Sequence, residues 1–77
     1  MNKADRKQFE NGLALIDEGK SICSDIADSE REKFENIPEN LQCSDRATAF
    51  EARADEIDSV CDEIDSLIDS LREAAEQ

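Results

Sequence analysis

The sequence predicts an all-α fold: an antiparallel two-helix hairpin that self-associates into a four-helix or larger bundle. Three observations carry this. Residues 55–71 read DEIDSVC-DEIDSLI-DSL, a seven-residue unit repeated once and begun a third time. An apolar repeat of seven marks a helix whose seam packs against other helices. A second periodic stretch of similar length precedes it, and the chain's single proline lies between the two.

The first helix is expected over about residues 4–35. Its heptad positions are Phe9, Leu13, Ile16, Lys20, Cys23, Ala27, Glu30 and Phe34, of which only Lys20 and Glu30 are polar. Leu15, Ile22 and Ile26 widen the apolar face. Gly12 and Gly19 stand seven apart on one side. Each costs roughly 1 kcal/mol against alanine inside a helix. Two in register are expected where a neighbouring helix approaches closely; the other reading is a frayed first turn around Asn11-Gly12.

Pro38 ends this helix, because the residue before a proline is pushed away from helical angles. The connection is expected over residues 36–43. Ser44 reads as the N-cap of the second helix, with Asp45 favourably placed in its first turn. The second helix then covers about residues 44–75. Its seam is Phe50, Ala54, Ile57, Cys61, Ile64, Ile68, Leu71 and Ala75, with no polar interruption. Val60, Leu67 and Ala74 widen it to the face of a bundle core. Helices of about 32 residues run roughly 48 Å. Equal lengths and a short link predict the antiparallel hairpin, all in one domain spanning residues 1–77. Each helix offers about three apolar positions per heptad where a single partner covers about two, so the excess calls for a second copy.

Composition narrows the partners. The chain has 77 residues, 39% of them charged, no histidine and a net charge of −12. That charge opposes direct contact with duplex nucleic acid or an anionic membrane. No stretch approaches the roughly 18 apolar residues of a membrane span, and the start MNKADRKQFE lacks the apolar centre of a signal peptide. A cytoplasmic protein without cofactor is expected. Cys23, Cys43 and Cys61 are odd in number and widely spaced. They do not supply the four ligands of a zinc site. Cys23 and Cys61 fall on the apolar faces and read as small buried hydrophobes, whereas Cys43 in the connection is the one open to solvent.

Beside the second seam runs an acidic file: Glu51, Asp55, Asp58, Asp62, Asp65 and Asp69. Like charges at i,i+4 cost roughly 0.2–0.5 kcal/mol per pair. With the hairpin centred near residue 39, only Lys20 is expected level with the middle of the file, leaving it largely unneutralised. Residues 36–77 carry net −9 against −3 for residues 1–35. Two readings follow: a solvated, solubilising face, or a decoy for a basic surface. Residues 51–76 hold ten carboxylates. Over roughly 39 Å that is about one per 4 Å, a loose match to one phosphate charge per about 1.7 Å of duplex. Calcium is not expected, since outward acids on a straight helix lack the glycine turn that wraps oxygens around the ion. There is no Gly-rich phosphate loop and no cysteine with an identifiable base. A general acid also needs a pocket to tune it, so no enzyme is expected.

The connection carries both a structural and a binding reading. Structurally, Phe34, Ile37 and Leu41 are expected to plug the bundle end while Pro38 sets the turn. The segment is also rich in polar side chains: Asn36, Asn40, Gln42, Ser44 and Arg46. A helix start presents free N–H groups and a positive dipole end, and Arg46 adds a fork that fits phosphate or carboxylate. These five residues are the candidate site for a small anionic ligand.

The stretch Phe34-Glu35-Asn36-Ile37-Pro38-Glu39-Asn40-Leu41-Gln42-Cys43-Ser44-Asp45-Arg46 resembles the core of a family of small proteins encoded by phages and prophages. That family shares F-[DE]-N-[IL]-P-E-x-L-Q-x-S-[DE]-R followed by a heptad-rich acidic helix. The resemblance covers about residues 30–71, and Asn40 stands where the family has glycine. It implies a small factor in the host cell cytoplasm acting on host machinery, often on antiviral defence, and brings no assigned activity. Three functions are in play, the first by analogy with small oligomeric phage proteins that sequester nucleotide immune signals. One is a non-enzymatic antagonist holding an anionic ligand such as a signalling nucleotide. Another is an acidic decoy or direct inhibitor of a basic host protein. The last is an assembly role for the bundle itself, with no ligand.

Overall fold

The computed structural model describes residues 1–76 and is an antiparallel helical hairpin. Helix α1 spans Lys3–Glu35, a single 3-10 turn covers Glu39–Leu41, and helix α2 spans Asp45–Glu76. The hairpin measures 60 × 16 × 12 Å. Both helices fall within one residue of the ends expected from the sequence. No helix among the described residues is long and apolar enough to cross a membrane.

The ends follow local chemistry. The Asn2 side chain caps α1 by accepting the Asp5 N–H at 2.7 Å. At the other end, Asn36 N–H donates to Glu32 O at 3.0 Å and Ile37 N–H to Phe34 O at 3.1 Å. Pro38, at φ −52° and ψ 139°, then turns the chain out of the helix. Ser44 caps α2 as expected: its Oγ accepts the Ala47 N–H at 3.2 Å.

The core is thin and built mainly of small residues. Leu13 and Ala27 of α1 and Ala47, Ala54, Cys61 and Ile68 of α2 are buried. The α2 members stand seven apart, so one heptad file faces α1. The next file, Phe50, Ile57 and Ile64, is only half-buried, and Leu71 is 38% exposed. The expected seam of Phe50, Ile57, Cys61, Ile64, Ile68 and Leu71 is therefore divided into a covered file and an edge file, because one partner helix covers one file and the flank of another. Among the described residues no large side chain is fully buried.

Several expectations are corrected. Cys23 is exposed, not buried: it lies at the edge of the helix contact, where α2 does not reach over it. Gly12 and Gly19 do not mark a close approach within the hairpin, since a Cβ built on either would meet nothing within 4 Å. Leu41 is 52% exposed, so of the three expected residues only Phe34 and Ile37 are half-buried at the closed end of the hairpin. Asn40 needs no glycine-like conformation, as no described residue has positive φ.

The acidic file is also better neutralised than its spacing suggests. Arg31 of α1 pairs with Asp55 at 3.1 Å and with Asp58. Lys20 pairs with Asp65 at 2.6 Å. The expected register placed Arg31 too far toward the loop. The 3-10 turn moves the centre of the hairpin a few residues along the chain and brings Arg31 level with Asp55 and Asp58.

Candidate functional site

The connection folds into a self-bonded cap. Leu41 N–H donates to Pro38 O at 2.8 Å, Gln42 N–H to Glu39 O at 3.2 Å, and Ser44 N–H to Leu41 O at 3.1 Å. Gln42 Nε2 donates to Ile37 O at 3.1 Å, tying the two sides of the loop together. Of the five candidate residues, Gln42 and Ser44 thus spend their side chains on the loop and the helix cap. Asn36 and Asn40 are exposed and lie outside the nearby concavity.

That concavity, of about 390 Å³, is open to solvent and lined by Ile37, Pro38, Leu41, Ser44, Arg46, Ala47 and Phe50. Its floor is apolar, from the proline ring, two aliphatic side chains and the Phe50 ring. Arg46 stands at its rim, exposed and with no carboxylate within ion-pair distance among the described residues. The structure brings Ser44 and Arg46 together at the start of α2, where the helix dipole is positive, and separates them from Asn36 and Asn40. Sequence reasoning missed the apolar lining. Phe50 stands nine residues beyond Leu41 in the sequence, and only the fold of the turn brings it to Pro38 and Leu41.

Behind this end lies a charged cluster. Glu30 is 7% exposed. It accepts a hydrogen bond from Arg53 Nη1 at 2.9 Å and from Lys33 Nζ at 3.4 Å. Both cations sit over the Phe50 ring, Arg53 at 5.9 Å and Lys33 at 6.0 Å from its centroid. Phe50 is thereby held between the cations and the concavity it floors.

Along the acidic file, Asp55, Asp58 and Asp65 are engaged by α1, whereas Glu51, Asp62 and Asp69 have no cation within ion-pair distance among the described residues. The hydrogen bond to Asp65 raises the Lys20 ammonium above its ordinary pKa, against the opposing effect of desolvation. The hydrogen bonds that Arg31 donates to Asp55 and then to Asp58 raise its pKa likewise. Burial pushes up the Cys61 thiol, helped by the nearby Cys23.

The two faces of the hairpin differ. The bridges of Arg31 and Lys20 run along one side. On the other, Cys23, Ile57, Val60, Cys61 and Ile64 line a shallow concavity of about 230 Å³ together with Glu56. Comparison with protein-family models, curated proteins and solved structures finds no match to this chain.

Proposed function

We propose that this is a non-enzymatic phage-type binding protein that self-associates in the host cytoplasm and antagonises a host defence system. It does so by holding a small anionic ligand, such as a signalling nucleotide, at the closed end of the hairpin. The observation that carries this reading is the pairing of a free guanidinium with an apolar floor. Arg46 lines one concavity with Ile37, Pro38, Leu41 and Phe50 at the start of α2. A ligand with a flat ring and a phosphate matches both halves, the ring lying on proline and phenylalanine and the phosphate meeting the Arg46 fork.

Native mass spectrometry of protein purified from expressing cells tests it. The expected result is an extra mass that denaturation releases, and that is lost in Arg46→Ala with the helical signal unchanged. A folded Arg46→Ala protein that keeps the mass, or a wild-type protein that carries none from any defence-active host, overturns it.

A second reading rests on the carboxylates that α1 leaves free, Glu51, Asp62 and Asp69: an acidic surface that binds a basic host protein. It predicts capture of that protein with a steep salt dependence. Capture that is insensitive to salt, or to Glu51→Gln with Asp62→Asn and Asp69→Asn, removes this reading. The three bridges to Lys20 and Arg31 weaken it, since they neutralise half of the file.

A further inference from the structure

We propose that one side of the hairpin docks a second copy of this chain, with α1 lying antiparallel along the partner's α1 about a two-fold axis at Gly19. The proposal deepens the self-association stated above and rests on it.

Several large aliphatic side chains remain uncovered on one side of the hairpin. Leu15 is 68% exposed, Ile22 59% and Ile26 53% on α1, with Leu67 62% and Val60 42% on α2. Monomeric proteins rarely leave contiguous apolar patches beyond a few hundred Å². The α1 and α2 parts lie at the same height, because the Lys20–Asp65 bridge sets residues 12–26 beside residues in the upper 50s to low 70s.

The occupant follows from one line along α1: Asp5, Gly12, Gly19, Ile26 and Lys33, each seven residues from the next. Reversed about Gly19, this line is its own complement. Asp5 falls on the partner's Lys33, Gly12 on the partner's Ile26, and Gly19 on itself. A two-fold interface requires such self-complementarity. Opposite charges meet at the ends, a large side chain meets a gap next inward, and the bare backbones meet at the axis. The open space at both glycines, which nothing in the hairpin fills, is thereby occupied. The opposite orientation, with both loops at one end, lays α1 on the partner's α2. It sets Asp5 near the partner's Glu73 and Glu76 and Lys33 near the partner's Arg53, like on like.

The area suffices. From Asp5 to Lys33 the line runs about 42 Å, and the hairpin is 16 Å wide. The resulting footprint of about 670 Å² in plan, before side-chain relief, approaches the roughly 800 Å² per partner of a standard interface. The two ligand-binding ends then point in opposite directions, so each chain carries its own site.

Disulfide trapping in a Cys23→Ser, Cys43→Ser, Cys61→Ala background, checked for retained helicity, tests the arrangement alongside mass measurement in solution. The expected mass is twice the 8.6 kDa of the chain. Gly19→Cys is expected to cross-link to itself. A mixture of Gly12→Cys and Ile26→Cys chains is expected to cross-link only as the mixed pair. A chain that stays monomeric at every concentration overturns self-association and orientation together. An oligomer in which Gly19→Cys cross-links to Leu67→Cys and not to itself overturns the orientation alone. Leu15→Asp with Ile22→Asp is expected to yield monomer with the hairpin intact, and an unchanged mass would also overturn the proposal.

Discussion

Arg53 of α2 donates at 2.9 Å to Glu30 of α1, a carboxylate whose residue is 7% exposed. The bond crosses the hairpin on its closed-end side, and Lys33 joins it from the next turn of α1. A half-buried charge pair of this kind holds register more than it adds stability. Arg53→Ala leaves the carboxylate with Lys33 alone and is expected to cost about 1–2 kcal/mol. Glu30→Met removes the charge that needs a partner, and is expected to cost less than Arg53→Ala. Urea unfolding of the two variants decides it. The reverse order would show that the Glu30 carboxylate stabilises the hairpin through its bonds to Arg53 and Lys33 by more than its burial costs.

Arg31 is the principal cation opposing the acidic file. Its Asp55 and Asp58 partners are on the surface, so Arg31→Gln is expected to lower stability only slightly, and mainly at low salt. Raising salt from about 0.1 M to about 1 M shortens the screening length from about 10 to about 3 Å and is expected to erase most of that difference. A loss that does not change with salt would assign Arg31 a packing role.

The glycines give opposite expectations for helix and interface. In the isolated hairpin the space beside them is empty, so Gly12→Ala should stabilise α1 by about 1 kcal/mol. Thermal melts at concentrations where the chain is monomeric read this directly. The same substitution should weaken the proposed dimer, because it fills the gap assigned there to the partner's Ile26. A fall in monomer stability would mean that α1 bends or frays at Gly12.

Stability should decline at alkaline pH as two groups lose their protons. Burial raises the Cys61 thiol above its ordinary 9.0, and the bond to Asp65 raises Lys20 above 10.5. Both groups hold a proton more tightly folded than unfolded, so stability is level below pH 9.0 and falls as pH rises through each folded value. Cys61→Ala should remove the first decline and Lys20→Met the second. Thiol labelling at neutral pH should modify Cys43 quickly and Cys61 slowly, with Cys23 protected only as the oligomer forms.

The sequence by itself determined the helices, their ends and the hairpin. Those are set by local forces: heptad spacing, a proline that cannot follow a helical residue, and a serine that caps the next helix. The Arg46 candidate was legible for the same reason, as a fork in the first turn. What only the tertiary structure decided is which surface each residue meets. Cys23 and Cys61 carry the same sequence signal, yet only Cys61 is covered, because a single partner helix shields one file and the flank of another. Arg31 meets Asp55 and Asp58 because the turn length shifts the register by a few residues. Pro38, Leu41 and Phe50 line one concavity with Arg46 because the turn folds them together. Register and convergence are properties of two segments at once, and no spacing within one segment contains them.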